Sequence, residues 1–96
     1  MNEQKPYVSP QQEENAAVLE DNGCSLVLYN DDVHTFDYVI KALMDICRHT
    51  MEQAEQCAIL VHCHGKCIVN HGAYSDLLPQ HSALLDKQLT SEIQDN

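Results

Sequence analysis

Basic residues and long apolar runs are the two features that this sequence most clearly lacks. Its 96 residues include 5 Lys and Arg against 15 Asp and Glu, which gives a formal net charge of -10. Nucleic acids and anionic lipids bind proteins that neutralise their phosphates, so both are disfavoured as partners of a chain this acidic. The charge instead suits a ligand that carries a cation, such as a basic protein patch, a peptide amine or a metal ion.

No apolar stretch approaches the roughly 18 residues that suggest a membrane-spanning helix, and the first residues lack the basic start and apolar run of a secretory leader. We therefore expect a cytoplasmic protein that does not contact a membrane. Five cysteines is an odd number, and disulfides are rare in that compartment. Cys24, Cys47 and Cys57 are accordingly predicted to be small buried hydrophobic residues.

The composition divides the chain after residue 22. Residues 1–22 contain five acidic residues, one Lys and two prolines, so they bury too little apolar surface to offset their ordering entropy. This pattern predicts a flexible acidic N-terminal arm, and both a role in partner delivery and an inert solubilising function stay open. The remaining length is enough for one small domain, at residues 23–96.

Strand and helix patterns alternate along this domain. The β-forming run at 24–29 follows an Asn-Gly turn and predicts a strand. Thr35 is placed to cap a helix with apolar residues at intervals of three and four, and Thr50 begins a capping box that opens a second helix. Gly65 is expected to end that helix.

The last third of the chain predicts two strands and a helix. A strand at 66–69 is followed by a turn at 70–72, and Ser75 is expected to cap a helix to Leu85 with Pro79 near its first turn. Alternation of Leu89, Ser91 and Ile93 with polar residues then predicts a half-buried strand. The order β-α-α-β-α-β indicates a small α+β domain, a three-stranded antiparallel sheet with its helices packed on one face.

The run VHCHGKC, residues 61–67, places two histidines and two cysteines within six positions. If it includes the last turn of a helix, its successive side chains lie about 100° apart and cannot all face one ion. No metal or other cofactor is therefore expected. A zinc-binding protein stays an alternative, with four candidate ligands: His62, Cys63, His64 and Cys67.

A second cluster is predicted where the first strand ends. Asn30 and Asp31 come close to His62 if the two helices pack on the same sheet, and three hydrogen-bonding groups then face one small space. In the alternative interpretation, the loop residues only shape a turn, and His62 is favoured at a helix end by the dipole. Spacing alone leaves both open.

These residues lie in two motifs, an NDD in LVLYNDDVHTFDYVIKAL and a V-H-x-x-G-K in AEQCAILVHCHGKCIV. Over roughly Leu26 to Ile93 the chain thereby resembles the ClpS adaptor family. The resemblance implies a ClpS-like fold and a monomeric adaptor that binds N-degrons, proteins whose first residue is a large hydrophobe such as Phe, Leu, Trp or Tyr. It further implies delivery of these substrates to a Clp AAA+ unfoldase and protease for degradation.

The resemblance also implies a binding site. Family members hold the substrate's α-amino group with the Asn of NDD, the next Asp and the His before G-K, which correspond to Asn30, Asp31 and His62. The hydrophobic pocket corresponds to Asp32, His34, Phe36, Val39, Ala58 and Leu89. Phe36 and Ala58 stand where Met is common in the family. We hypothesise that Phe36 crowds the Cβ of β-branched first residues; alternatively, it is a first-turn core residue.

No catalytic residues are expected, because Asp31 and Asp32 are adjacent and point apart in an extended chain, unlike the paired carboxylates of a hydrolase. In the family, the unfoldase's N-terminal domain docks near the start of the third helix, with polar residues that do not map cleanly onto 74–82. A different Clp ATPase or a different face thus stays open. A further alternative is an interaction module of the same fold that binds a Clp ATPase without degron recognition.

Overall fold

The computed structural model describes residues 23–96. Its elements are β1 (Cys24–Tyr29), α1 (Phe36–Cys47), α2 (Met51–His64), β2 (Lys66–Gly72), α3 (Tyr74–Asp86) and β3 (Thr90–Asp95). The sheet has β1 in the centre, antiparallel to β2 on one side and to β3 on the other. The predicted α+β class and element order are confirmed. The acidic arm predicted at residues 1–22 lies outside the described residues.

Local capping interactions determine where the first two helices begin and end. The Thr35 hydroxyl accepts a hydrogen bond from the backbone N–H of Tyr38 at 3.2 Å, and Thr50 forms the predicted reciprocal capping box with Gln53. Gly65 ends α2 in the left-handed conformation, with φ of 88°. The predicted starts of both helices and the predicted end of α2 therefore agree with the structure.

Two predictions about the last third of the chain are wrong. The strand β2 continues to Gly72, where a turn was expected, because a bulge between Ile68 and Asn70 shifts the register and lets pairing with β1 resume. The helix α3 begins at Tyr74 without a side-chain cap, so Ser75 is not its cap. Pro79 lies inside this helix, and tertiary packing outweighs the hydrogen bond that its missing N–H removes.

The hydrophobic core lies between the sheet and the three helices. Its largest fully buried side chains come from the central strand and from helices α1 and α3: Leu26, Leu28, Leu43, Leu77 and Leu84. Cys24 and Cys47 are buried as predicted, whereas Cys57 is half-buried. Burial raises the pKa of the Cys47 thiol to about 11, so this side chain behaves as a small neutral hydrophobe.

No helix within residues 23–96 is long and apolar enough to cross a membrane.

Candidate functional site

A cavity of about 330 Å³ lies where the loop after β1 meets the start of α1 and the end of α2. This volume is at the lower end of the range for ligand pockets, and it suits one side chain better than a large molecule. The cavity is lined by Asn30, Asp31, Asp32, His34, Thr35, Phe36, Val39, Ala58, Val61 and His62.

Two features of the chain bring these segments together. The short connection 48–50 reverses the chain, so that the start of α1 lies beside the end of α2. The backbone N–H of Asn30 also donates to the carbonyl of Gly65 at 2.9 Å, which ties the end of β1 to the end of α2. Asn30 and His62 thereby line the same cavity although 32 positions separate them in the sequence.

The Asp31 carboxylate organises the loop at the polar side of the cavity. Its Oδ1 accepts hydrogen bonds from the backbone N–H groups of Val33 and His34, both at 2.8 Å. The Nδ1 atom of His34 lies 3.0 Å from Oδ1 and 2.9 Å from Oδ2. An ionised carboxylate only accepts hydrogen bonds, so Nδ1 carries the hydrogen in this arrangement.

These contacts also determine the charge of Asp31. Burial raises the pKa of the carboxyl, but the hydrogen bonds from His34 and Val33 together outweigh burial and place the pKa below its ordinary value. Asp31 is therefore ionised at neutral pH, and most of its acceptor capacity is used within the loop. It supplies negative charge to the cavity with little freedom to move.

His34 connects this loop to the far end of α3. Its ring stacks on Tyr38 with centroids 4.7 Å apart, and the Tyr38 hydroxyl donates to the carbonyl of Lys87 at 2.8 Å. The loop is thus held from one side by its own backbone and from the other by a stacked ring pair. Such support keeps the polar groups of the cavity in place before any ligand arrives.

Phe36 stands at the rim of the cavity beside His62. The two rings meet edge to face with centroids 5.5 Å apart, a favourable geometry for aromatic pairs. About half of the Phe36 side chain (48%) is exposed. The structure therefore does not support the alternative in which Phe36 is a core residue.

The apolar wall of the cavity comes from the inner faces of both helices. Val39 contributes from α1, and Ala58 and Val61, one turn apart and almost fully buried, contribute from α2. Val61 and Thr35 also line the cavity, although neither was predicted as a site residue. Val61 had a usable signal, because residues three positions apart, such as Ala58 and Val61, lie on the same face of a helix.

Leu89 is the one predicted site residue that the structure places elsewhere. It precedes β3, is 2% exposed and packs in the hydrophobic core. The cavity wall does not include it. Its apolar character follows equally from core packing, so sequence alone could not separate the two roles.

The proposed zinc ligands do not come together in the described part of the chain. Within residues 23–96 no group of three or more His, Cys, Asp or Glu side chains has an arrangement that could hold a metal ion. His62, Cys63 and His64 are all exposed at the end of α2, and consecutive helical residues point in different directions. The zinc alternative therefore has no ligand set in this part of the protein.

Residues 20–92 match the family model described as ATP-dependent Clp protease adaptor protein ClpS. The chain belongs to the ClpS family. The family resemblance predicted from the NDD and V-H-x-x-G-K motifs is thus confirmed. No curated protein sequence matches the chain.

Solved structures also match the fold of this chain. One of these is ClpS2 of Agrobacterium tumefaciens bound to L-phenylalaninamide, which matches with a TM-score of 0.72 and 17% sequence identity. The match covers 79% of this chain and 99% of the Agrobacterium chain. At this identity the likeness establishes the fold, which is that of a ClpS protein.

Proposed function

We propose that this ClpS-family protein binds N-degrons through the cavity and delivers them to a Clp protease. The observation that carries the proposal is the two-sided character of that cavity. Asn30, Asp31 and His62 line its polar side, and Val39 and Ala58 line its apolar side. A free N-terminus with a hydrophobic first residue complements both sides, because it presents a cation next to an apolar side chain.

The polar side suits an α-amino group. A free α-amine has an ordinary pKa near 8, so at neutral pH it is an ammonium with three hydrogens to donate. We propose that the Asn30 side-chain oxygen and a ring nitrogen of His62 accept two of them, and that Asp31 contributes its negative charge. Hydrogen bonds to a charged group contribute roughly 1.5 to 3 kcal/mol each. An internal residue, which presents an amide, leaves these acceptors unpaired.

The apolar side suits a large first side chain such as Phe, Leu, Trp or Tyr. Burial of a Phe or Leu side chain contributes about 1.5 to 3 kcal/mol. Together with the ammonium contacts this supports micromolar affinity, which corresponds to about 8 kcal/mol. Asp32, His34 and Phe36 complete the walls, and we propose that Phe36 crowds a β-branched Cβ and so excludes Ile and Val.

We further propose that the protein acts as a monomeric, non-enzymatic adaptor that docks on the N-terminal domain of a Clp AAA+ unfoldase. Two exposed apolar side chains near the start of α3, Tyr74 and Leu78, offer a surface for that contact. The two adjacent carboxylates do not support hydrolysis by an acid and base pair, because Asp31 is engaged by His34.

The binding proposal is tested by calorimetry with a Phe-initiated peptide and its N-acetylated twin. We expect micromolar affinity for the free peptide and at least a tenfold loss on acetylation. His62→Ala is expected to weaken binding by a similar factor. His64→Ala is the matched control, because His64 is exposed on the same helix end and does not line the cavity.

Equal affinity for both peptides would refute recognition of the α-amine. Binding of the Clp ATPase without binding of either peptide would instead support the interaction module that lacks degron recognition. Equal losses in His62→Ala and His64→Ala would show that the imidazole at the cavity has no specific role.

A further inference from the structure

A second, shallower cavity lies on the outer side of Phe36, between α1 and α2. It encloses about 250 Å³ and is lined by Phe36, Asp37, Ile40, Glu55 and Ile59. Phe36 is the one lining residue that it shares with the first cavity within residues 23–96. We call this second cavity the α1–α2 groove.

The α1–α2 groove has an apolar floor and an acidic rim. Phe36 and Ile59 are 48% and 46% exposed, so both are accessible to a ligand. Asp37 and Glu55 have no cationic partner among the described residues. Lys41, four positions after Asp37 on α1, forms its ion pair with Asp45 at 3.5 Å.

The groove adjoins the first cavity, because Phe36 lines both. Along the axis of α2, at about 1.5 Å per residue, Ile59 lies about 4.5 Å and Glu55 about 10.5 Å from His62 toward the start of the helix. An extended peptide advances about 3.3 Å per residue, and its first and third side chains point to the same side about 6.6 Å apart. If the bound chain leaves the cavity past Phe36 and runs along α2 from the level of His62, its third side chain lies between the levels of Ile59 and Glu55.

We propose that the α1–α2 groove binds the side chain of the substrate's third residue and selects a long cationic one, Lys or Arg. The aliphatic stem of such a residue covers Ile40 and Ile59 while its charged head reaches Asp37 and Glu55. Phe36 then serves both sites, as the rim of the first cavity and the near wall of the groove. This inference rests on the proposed binding of N-degrons and adds a sequence preference to it.

The test compares three peptides that begin Phe-Ser-Lys, Phe-Ser-Ala and Phe-Ser-Glu and are otherwise identical, with binding measured by calorimetry on the full chain. We expect Lys to bind about three- to fivefold tighter than Ala, in keeping with partly exposed ion pairs, and Glu to bind more weakly than Ala. A peptide that begins Phe-Lys-Ser should lack the gain, because its second side chain points away from the groove.

Two pairs of variants test whether the groove causes the preference. Glu55→Gln should reduce the ratio of Lys to Ala affinity to about twofold or less, whereas Glu52→Gln, with the same charge change on an exposed residue of the same helix, should leave it unchanged. Ile59→Ser should likewise lower affinity for the Lys peptide, whereas its exposed neighbour, changed by Leu60→Ser, should not. Binding of the Phe-Ser-Ala peptide by each variant reports any general loss of folding.

Several outcomes overturn the inference. The first is equal affinity for the Phe-Ser-Lys and Phe-Ser-Ala peptides. The second is a gain in affinity from Lys at the second position that equals the gain at the third. The third is an equal effect of Glu55→Gln and Glu52→Gln, which would assign the preference to net charge. The N-acetylated Phe-Ser-Ala peptide keeps this test separate from the proposed function. If acetylation abolishes binding but the third residue has no effect, the N-degron proposal stands and the groove proposal falls.

Discussion

The contribution of the Asp31 carboxylate to the stability of the loop after β1 can be tested by one substitution. Asp31→Asn keeps the size of the side chain but replaces one oxygen with an amide NH₂ and removes the charge. The remaining oxygen can still accept from the backbone N–H groups of Val33 and His34, which now bond to a neutral acceptor. The NH₂ group takes the place of Oδ2 and faces the Nδ1 hydrogen of His34, so the contact with Oδ2 is lost and only the weaker one with the neutral Oδ1 remains.

The expected magnitude follows from these contacts. Hydrogen bonds to a charged group contribute about 1.5 to 3 kcal/mol and neutral ones about 0.5 to 1.5 kcal/mol, so three weakened or lost bonds amount to several kcal/mol if fully buried. The Asp31 side chain is 23% exposed, and solvent screening reduces the figure. We expect Asp31→Asn to lower the free energy of unfolding by about 1 to 2 kcal/mol, or roughly 5 to 15 °C in Tm.

The Asp31 carboxylate should contribute to stability at neutral pH and not at low pH. The folded-state pKa of Asp31 is below its ordinary value, so the carboxylate contributes stability above its unfolded pKa, near 3.9, and this contribution is lost as the pH falls through the folded pKa. The difference between the two proteins should therefore be complete at pH 7. It should shrink toward zero as the pH falls below the folded pKa, where a protonated Asp31 resembles Asn.

The assay is urea unfolding of the parent, Asp31→Asn and Asp32→Asn at pH 7 and at low pH. Asp32 is the adjacent exposed carboxylate, so its variant controls for the change in net charge. Equal unfolding free energies for the parent and Asp31→Asn at pH 7 would refute the structural role of Asp31. A difference that stays constant at low pH would show that its origin is not the ionised carboxylate.

Two further predictions concern residues that the family resemblance assigns to the hydrophobic pocket, Phe36 and Leu89. Phe36→Ala should strengthen binding of Ile-initiated peptides by roughly tenfold, because the Ile side chain then gains about 1.5 kcal/mol of apolar burial in the cavity. Val33→Ala, in the same loop region, is the control. No gain in affinity for Ile-initiated peptides would contradict the steric role of Phe36. Leu89→Ala should lower the free energy of unfolding by about 2 to 5 kcal/mol, because Leu89 packs in the core. Its affinity for Phe-initiated peptides should stay within about twofold of the parent protein. A loss of affinity in protein that is still folded would show that Leu89 reaches the ligand.

Much of the fold was predictable because the interactions that define it are local. The caps at Thr35 and Thr50 each bond to a residue three positions away, and Gly65 ends α2 through its own backbone conformation. Such signals are visible in a short window of sequence. The family was predictable for a similar reason, since its two motifs are contiguous.

The start of α3 and the length of β2 were not predictable in this way. The hydroxyl of Ser75 suggested a cap, but packing of Leu77 and Leu84 into the core outweighs it and carries the helix through Pro79. The bulge in β2 depends on pairing with β1, a strand about 40 residues earlier. Both features depend on partners distant in sequence, which local patterns do not report.

The sequence by itself identified the candidate polar groups, because its NDD and V-H-x-x-G-K motifs carry the resemblance to the ClpS family that points to Asn30, Asp31 and His62. Only the tertiary structure decided how these residues are arranged and what they contact. Residues from two helices and a loop share one cavity, His34 engages Asp31, Phe36 meets His62 and Leu89 remains in the core. These outcomes depend on how segments separated in the sequence pack in three dimensions, where core packing, solvent exclusion and hydrogen-bond geometry select one arrangement.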